Sequence, residues 1–463
     1  MESVESANLL RYGKIPIAGK VVIAIQPRPI LRLEQAGKSC LEWRCARAAT
    51  ACGQWLDCIR ILEPEVGTGS VDDRVRKLGG NFVFVGSEKW DSASKTSKHH
   101  LVREFAALGA RILYVENISM RRLGSEGKRD YAKILREVGR FFAGLRSPQP
   151  NVYLMNPLYL PFPGSHLARR FNAWFVAATA RFHLRRLGMR HPVLIYFMPT
   201  GFALQGRLGE RLAAYYITDN YAAFADVEKD AVRALEDQAL ATADAVFATA
   251  PSLVEARRGR RPDIHCSPHG VDAAHFGRAM HPDTIVPAEV DRLPRPRIGF
   301  MGGLGYDYVD LNLIRDLGRA RRDWQIVLFG RDLSDISQLV AEPNIHFLGP
   351  QPYERLPSLL KGIDVAIIPF LDNELTRDVN PLKMREYLAA GLPVVATDLP
   401  LLRIYPGHVR CVRGLEGFIS GIADALANPG DPRDHHRAVQ DESWAARAAA
   451  VLDALVETRP RRR

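Results

Sequence analysis

Residues 373–398 read NELTRDVNPLKMREYLAAGLPVVATD and contain the pattern on which the fold assignment rests. The apolar run DVAIIPF, residues 364–370, comes just before them and predicts a buried strand. Pro381 suits the first turn of a helix, where its missing N–H needs no partner. Gly391 then ends the helix and Pro393 starts the next strand. The stretch therefore predicts a strand–helix–strand unit whose helix begins at the carboxyl end of a strand.

This helix start has the chemistry of a diphosphate site. Free N–H groups at a helix N-terminus bind anions, and Lys383 adds a positive charge one residue into the helix. Glu386 follows within two turns, where its carboxylate can accept hydrogen bonds from the two hydroxyls of a ribose. The alternative is that Glu386 is a solvated helix residue, but the surrounding pattern favours the nucleotide site. The predicted nucleotide-binding residues of this segment are Asn380, Pro381, Leu382, Lys383 and Glu386.

Short apolar strands alternate with amphipathic helices on both sides of this segment. Such alternation predicts βαβ units and buried parallel sheets. A stretch rich in proline and charge, residues 281–296, interrupts it and predicts an interdomain linker. We therefore expect an α/β protein with two Rossmann-like, doubly wound domains that face a central cleft. The predicted boundaries are a leader of uncertain structure at 1–78, an N-terminal domain at 79–280, a C-terminal domain at 297–435, a C-terminal crossing helix at 436–458 and a basic tail at 459–463.

Composition narrows the class of protein. The chain has 463 residues, a formal net charge of +11 and 25% charged residues, an ordinary balance for globular domains. A basic surface attracts anionic lipid, phosphate-bearing substrates or nucleic acid, but no nucleic-acid-binding module accompanies the charge. None of the six cysteines forms a C-x-x-C pair, which argues against zinc. No apolar run is long enough to span a bilayer and no signal peptide is evident, so we expect a cytoplasmic protein.

The run NPLKMREYLAAGLPVVATD resembles the donor site of GT-B glycosyltransferases of the family-4 type, the glycosyl transferases group 1. That family has an E-x7-E signature, in which the second carboxylate holds the donor ribose and the first contacts the sugar. Glu386 matches the second position, whereas Asp378 occupies the first, so the resemblance implies that Asp378 also contacts the donor and that the nucleotide-binding residues above are donor-binding residues. The run is most similar to a bacterial subgroup of envelope-polysaccharide transferases. The resemblance extends over about residues 81–458.

Two further segments match this family. HGVDAAHF, residues 269–276, resembles its N-G-V-D turn, with His269 in place of asparagine. Gly270 there allows a positive φ and Asp272 can hydrogen-bond its own turn, so a structural and a catalytic role are both open. RIGFMGG, residues 297–303, occupies the place of the family's phosphate loop, where Gly302 and Gly303 would let the backbone approach phosphates. Arg331, after the strand WQIVLFG, is a second candidate cation.

The N-terminal half supplies the expected acceptor side. Trp90, His99 and His100 lie where a loop meets a helix, and we expect them to face the cleft and contact the acceptor. Asp219, in YYITDNYAAF, resembles the subgroup's paired acidic element. It would either orient an acceptor hydroxyl or cap the next helix. The predicted catalytic residues are Glu386, Lys383, Asp219 and His100.

The predicted helix at 166–187 is both aromatic and rich in arginine. Such a helix is either an ordinary domain helix with solvated arginines or a surface element that contacts an anionic membrane. Peripheral contact at the inner face of the plasma membrane is therefore open.

The resemblance implies sugar transfer from a nucleotide-diphosphate sugar to a saccharide or lipid-linked acceptor. It also implies retention at the anomeric carbon, no metal site and no cofactor, because the nucleotide sugar is itself the donor substrate. Polysaccharide biosynthesis for the cell envelope is the expected context. The alternatives are a catalytically inactive binding subunit of a polysaccharide assembly and a nucleotide-sugar epimerase.

Overall fold

The protein was analysed as a computed structural model. Its described residues are 71–86, 88–92, 95–116, 138–158, 166–224, 227–305 and 307–461. Residues 1–70 of the predicted leader lie outside them. The last part of the leader, residues 71–78, contains a helix, Asp73–Lys77, capped by the side chain of Asp72.

The first sheet has eight strands in the order β3-β4-β2-β1-β5-β6-β7-β8. All neighbouring strands are parallel except β3, which pairs antiparallel with β4 at the edge. The inner strands are apolar along their whole length because helices cover both faces of the sheet. The strands are β1 (Asn81–Val85), β2 (Arg111–Val115), β3 (Arg146–Gln149), β4 (Val152–Met155), β5 (Val193–Tyr196), β6 (Leu212–Ile217), β7 (Ala245–Ala248) and β8 (Ile264–Cys266).

Each face of this sheet has its own hydrophobic core. One core contains Phe105 and, from the far end of the chain, Trp444. The other contains Val176, Leu184 and Leu240. The helices that contribute to the first are Asp73–Lys77, Ser97–Ala107 and Trp444–Glu457, and those that contribute to the second are His166–Arg186, Lys229–Thr242 and Pro251–Glu255.

The second sheet has six strands in the order β11-β10-β9-β12-β13-β14, and all of its pairs are parallel. Its strands are β9 (Arg297–Met301), β10 (Gln325–Phe329), β11 (Ile345–Phe347), β12 (Val365–Ile368), β13 (Val394–Thr397) and β14 (Val409–Val412). The helices of this half and of the segment leading into it are Ala273–Gly277, Ala288–Asp291, Leu311–Ala320, Ser337–Val340, Leu356–Lys361, Glu374–Arg377, Leu382–Ala389, Gly414–Ala427 and Pro432–Arg437. Short 3-10 turns lie at Pro199–Leu204, Tyr221–Ala223, Arg278–Met280, Tyr353–Arg355 and Pro400–Leu402.

Strand order locates the two binding edges. The first sheet grows from β1 to β2 in one direction and from β1 to β5 in the other, and the second does the same from β9 to β10 and from β9 to β12. Connections on opposite sides of such a pair leave a crevice beyond the carboxyl ends of the strands, where ligands bind in open parallel sheets. Ligands are therefore expected beside the residues that follow β1 and β5 and beside those that follow β9 and β12.

The helix Trp444–Glu457, called the crossing helix below, joins the C-terminal part of the chain to the first sheet. Trp444 is 3% exposed and its indole stacks on the His100 ring, with centroids 4.9 Å apart. Gly270 passes so close that a Cβ there would lie 2.9 Å from the Trp444 ring and backbone. Its φ is not positive, so close packing, and not the left-handed conformation expected from the sequence, requires glycine at this position.

In the described ranges, no helix combines the length and the apolar character that crossing a lipid bilayer requires.

We expect Trp444→Ala to lower the free energy of unfolding by about 3–5 kcal/mol, the usual cost of removing a buried large aromatic side chain. Urea unfolding followed by circular dichroism measures it. Trp174→Ala is the matched control, because Trp174 is 56% exposed and a surface substitution changes stability by less than about 0.5 kcal/mol. Equal losses in the two variants would contradict the assigned role of the crossing helix.

Candidate active site

The helix Leu382–Ala389, called the donor helix below, begins directly beyond the carboxyl edge of the second sheet. Pro381 is the N-cap and Leu382 the first helical residue, one position later than the sequence predicts. The reason is that Pro381 has an extended ψ of 122°, which the helix cannot include. No side chain of the described residues caps this start. Its first N–H groups thus keep their positive polarisation for a ligand.

Tyr387 fixes the donor helix to the switch point through buried hydrogen bonds to Met301. The Met301 N–H, at the end of β9, donates to the Tyr387 hydroxyl at 2.6 Å. Tyr387 is fully buried, so the bond is shielded from water. This contact sets the helix start between the ends of β9 and β12.

Lys383 lies over the ends of both switch-point strands. Its ammonium is 4.7 Å from the ring centroid of Phe370 and 5.4 Å from that of Phe300, a cation–π arrangement. Gly302 has φ +146°, and a Cβ there would come within 2.9 Å of the Lys383 Cε. The missing side chain therefore makes room for the lysine beside the loop.

Gly330 holds the two neighbouring loops together. It follows β10 with φ +151°, and a Cβ there would lie 1.9 Å from the carbonyl oxygen of Gly302. Gly303 is also close-packed, since its Cβ would lie 2.7 Å from Leu333. Backbone, ammonium and helix start thus converge on one small region of the cleft.

Burial shapes the charges of Lys383 and Glu386. It lowers the pKa of Lys383 to about 8, against a smaller opposite effect of Glu386. It raises the pKa of Glu386 to about 7, which the lysine partly counteracts. Neither side chain forms an ion pair with another described residue, so both remain available to a ligand.

The other predicted donor residues divide into two groups. Arg331 is exposed, and its carbonyl oxygen accepts the Leu304 N–H. Asp378 and Asn380 form side-chain hydrogen bonds within the protein, and their contact with the donor stays a prediction. The Asp378 carboxylate accepts from the Asn220 amide at 3.2 Å, and the buried Asn380 amide donates to the Thr249 carbonyl at 2.8 Å.

These two bonds connect the edges of the two sheets. Asn220 and Thr249 follow β6 and β7 of the first sheet, whereas Asp378 and Asn380 precede the donor helix. The carboxyl edges of both sheets therefore meet at one place, which brings residues of both halves into the same cleft.

Arg385 is a residue that sequence reasoning missed. Its guanidinium donates to the Glu442 carboxylate at 2.8 Å and to the side-chain amide oxygen of Asn380 at 2.7 Å, and the side chain is 2% exposed. Through Asn380 it supports the contact with Thr249. Sequence carries no signal that separates this arginine from a solvated one, because its partners lie 5 and 57 positions away.

A charged cluster forms the opposite wall, at the switch point of the first sheet. The Lys98 ammonium lies 2.9 Å from both carboxylate oxygens of Glu88, which follows β1, and 6.0 Å from the ring centroid of Phe197, which follows β5. Burial alone would lower the pKa of Lys98, but Glu88 and its neighbours raise it above its ordinary value. Sequence reasoning missed Lys98 and selected the two histidines beside it.

Asp219 belongs to this cluster and follows β6. Burial raises the pKa of its carboxyl group, while the nearby Lys98 and a hydrogen bond from Thr218 act in the opposite direction. The neighbouring 3-10 turn begins after Asn220, and no side chain caps it, so a capping role for Asp219 is not observed. Tyr221 and Thr218, which share a 2.6 Å hydrogen bond, complete the wall.

The expectation that Trp90, His99 and His100 face the cleft is wrong. All three are buried. His99 accepts the Thr96 N–H and contacts the Lys89 carbonyl through its other nitrogen, while its ring packs beside Trp90. His100 stacks on Trp444, and burial lowers its pKa to about 3. These rings fill the core under the crossing helix, because the helix Ser97–Ala107 turns its third and fourth residues, His99 and His100, inward.

The HGVD segment is a structural turn in this protein. The Asp272 carboxylate accepts the His275 N–H at 2.9 Å and caps the helix that follows. His269 is buried near Trp444, and burial lowers its pKa to about 3. Both roles are architectural, and they favour the structural reading of this segment.

Comparisons with known proteins agree with this geometry. Residues 295–440 match the family model described as "Glycosyl transferases group 1". The chain has the GT-B fold, and its residues 295–440 belong to the group 1 glycosyl transferases. This domain includes the second sheet, Gly302 and the donor helix.

One curated relative is the putative teichuronic acid biosynthesis glycosyltransferase TuaH of Bacillus subtilis. It is 35% identical over 107 residues, which are 22% of this chain and 27% of the relative. The matched part is therefore about a quarter of that protein.

Solved GT-B structures align with most of the chain. Anabaena HepE in complex with UDP and glucose matches with TM-score 0.56 and 12% identity, over 81% of this chain and 99% of its own. The catalytic domain of Arabidopsis thaliana starch synthase IV, bound to ADP and acarbose, has TM-score 0.55 and 11% identity over 81% and 99%. An Escherichia coli structure named for trehalose-6-phosphate and bound with UDP-2-fluoro glucose has TM-score 0.55 and 11% identity over 82% and 100%.

We expect Arg385→Ala to lower the free energy of unfolding by about 2–4 kcal/mol, because it leaves the buried Asn380 amide oxygen without its donor and removes one of the donors to Glu442, which keeps Tyr405 and Arg447. Chemical denaturation measures the loss. Arg377→Ala is the control: its pair with Asp372 is exposed on both sides, and such pairs contribute about 0–1 kcal/mol. A loss at Arg385 no larger than the control would show that the buried network is dispensable.

Proposed function

We propose that the protein transfers a sugar from a nucleotide-diphosphate sugar to a saccharide or lipid-linked acceptor. The observation that carries the proposal is the position of Lys383, held against Gly302 at the switch point of the second sheet, with Glu386 one turn further along the same helix. This is the place and the residue chemistry that a nucleotide diphosphate needs.

The donor would lie along the start of the donor helix. The free N–H groups and the Lys383 ammonium would face the diphosphate, and the Gly302 backbone leaves space for its oxygens. The Glu386 carboxylate would accept from the ribose hydroxyls. Arg331, which is exposed at the mouth of the same loops, would add charge from the solvent side.

Transfer breaks the bond between the anomeric carbon and the diphosphate. Negative charge then grows on the leaving phosphate, and preorganised donors stabilise that charge. Lys383 and the helix start supply this stabilisation without a metal ion. We propose a retaining reaction, in which the leaving phosphate itself accepts the proton of the acceptor hydroxyl.

The acceptor would enter from the wall formed by Lys98, Glu88 and Asp219. Asp219 is the group that would accept a hydrogen bond from the acceptor hydroxyl, since its raised pKa and half-buried position suit a hydroxyl partner. We assign no catalytic role to His100, because the Trp444 indole covers its ring. We assign the protein to cell-envelope polysaccharide synthesis in the cytoplasm, in line with the name of its Bacillus relative.

UDP-glucose is the first donor to test, because UDP or a UDP-sugar is bound in two of the solved GT-B structures. Isothermal titration calorimetry should detect binding to the wild type. Lys383→Ala should weaken it by about 10–100-fold, the loss of one charge-assisted hydrogen bond of about 1.5–3 kcal/mol. Lys229→Ala, an exposed lysine of the first domain, should bind normally.

Titrations with GDP-, ADP- and dTDP-glucose extend the test to the nucleotide. Normal binding by Lys383→Ala, or binding of none of the four sugars, would refute the donor site. Release of nucleotide that depends on an added saccharide acceptor distinguishes a transferase from a binding subunit. Release or isomerisation of the sugar without acceptor would point to an epimerase.

Binding of UDP-glucose should be strongest between about pH 7 and about pH 8. The Glu386 carboxyl group has its pKa raised to about 7, so it gains a proton and loses acceptor strength below that pH. The Lys383 ammonium has its pKa lowered to about 8, so its charge is lost above that pH. Calorimetric dissociation constants from about pH 6 to about pH 9 give the profile.

Two substitutions separate the limbs of this profile. Lys383→Arg should flatten the alkaline limb, because a guanidinium stays charged throughout the range. Glu386→Gln should flatten the acid limb, because the amide does not titrate. A profile that is unchanged in both variants would assign the pH dependence to other groups.

A further inference from the structure

The helix His166–Arg186, called the surface helix below, packs one side on the first sheet and leaves the other unpartnered within the described residues. The buried side contains Val176, Ala177, Ala180 and Leu184. The outer side has large apolar residues at a helical spacing. They are Leu167, Phe171, Trp174 and Phe182, with exposures of 78%, 44%, 56% and 58%.

Rings next to the surface helix extend this apolar side. Phe142, in the preceding segment, is 78% exposed. Contacts between neighbouring rings join Phe142 to Phe141, Phe141 to Phe175, Phe175 to Phe171 and Phe171 to Trp174, with centroids 5.4–6.0 Å apart. We call Phe142, Leu167, Phe171, Trp174 and Phe182 the aromatic face. Soluble monomers rarely expose so continuous an apolar patch without a use for it.

Arginines border the aromatic face on both sides. The surface helix contains five arginines and no aspartate or glutamate. Arg170 and Arg181 lie along one edge and Arg186 along the other, as the 3.6-residue period places them, and all three are exposed. Within the described residues none of the three forms an ion pair, so their charges face solvent.

Charge selects among the surfaces that could cover the aromatic face. A second copy docked face to face would bring two sets of arginines together, which is repulsive. Residues 117–137, which the structure does not describe, hold six lysines and arginines against three acidic residues, so their charge does not complement the arginines. An anionic lipid surface complements both the aromatic face and its arginines, since it accepts aromatic rings at its interface and attracts arginine side chains.

We propose that the aromatic face and its arginines form a docking surface for a membrane that contains anionic lipid. Such a surface would locate the proposed transferase at a membrane. It rests on the proposed function only in that a lipid-linked acceptor would lie in that membrane. Trp174 and the phenylalanines would enter the boundary between headgroups and acyl chains. The arginine stems lie along the same boundary while their guanidinium groups reach the phosphates.

Vesicle sedimentation tests the docking surface. The full chain is mixed with vesicles of phosphatidylcholine alone or with roughly one third phosphatidylglycerol, at about 0.1 M and about 0.5 M NaCl. We expect binding to the anionic vesicles that weakens at high salt. The triple variant Phe171→Ala, Trp174→Ala, Phe182→Ala should lose at least about tenfold in partitioning. Its control replaces exposed apolar residues of the second half, Ile285→Ala, Val340→Ala and Ile404→Ala, and should bind as the wild type does.

The arginine arm uses charge-matched variants. Arg170→Ala, Arg181→Ala and Arg186→Ala together should weaken partitioning roughly 100-fold, at about tenfold or less for each charge near an anionic surface. The control removes three exposed arginines elsewhere, Arg258→Ala, Arg322→Ala and Arg437→Ala, and should have a much smaller effect. This comparison separates a local surface from the net charge of the protein.

Three results would overturn the proposal. They are equal binding to neutral and anionic vesicles, equal binding by the face variants and their controls, and a dimer in light scattering that the aromatic triple variant abolishes. UDP-glucose titration on every variant keeps the two proposals apart. Vesicle binding without binding of UDP-glucose would support the docking surface and refute the donor site. Binding of UDP-glucose without vesicle binding would support the donor site and refute the docking surface.

Discussion

Gly302 imposes the constraint on which the donor side depends. Any side chain there would meet the Lys383 stem at 2.9 Å, and φ +146° is a conformation that L-residues rarely adopt. Because Gly302 has no side chain, Lys383 can cross the ends of β9 and β12 and keep its ammonium over the rings of Phe300 and Phe370. The Tyr387 hydroxyl, bonded to the end of β9, holds the donor helix in the register that this approach needs.

The same region also couples the two halves of the chain. Asn380 and Asp378 precede the donor helix, yet their side chains bond to Thr249 and Asn220 of the first half. Arg385, within the helix, donates a hydrogen bond to the side-chain amide oxygen of Asn380. Asp378 and Asn380 thus also connect the two halves of the chain, while Lys383 and Glu386 form no ion pair with another described residue and Arg331 is exposed.

The sequence was most informative where a local pattern had a single structural meaning. Apolar runs and their spacing predicted two doubly wound parallel sheets, and NPLK predicted a helix start beyond a strand, because both depend on neighbours along the chain. It failed where meaning comes from distant partners. His100 was interpreted as a cleft residue because nothing nearby reveals that Trp444 covers it. Lys98 and Arg385 were missed for the same reason, since Glu88 and Glu442 become partners only after folding.

The crossing helix has a consequence for how the protein is made. A core of the first sheet includes Trp444, Val451 and Leu455, which follow the whole second sheet along the chain. Domains usually fold in the order in which they leave the ribosome, but here the first sheet stays incomplete on one face until the second sheet and the crossing helix have been synthesised. During translation that open face is an exposed apolar surface, and it closes only when the crossing helix packs on it.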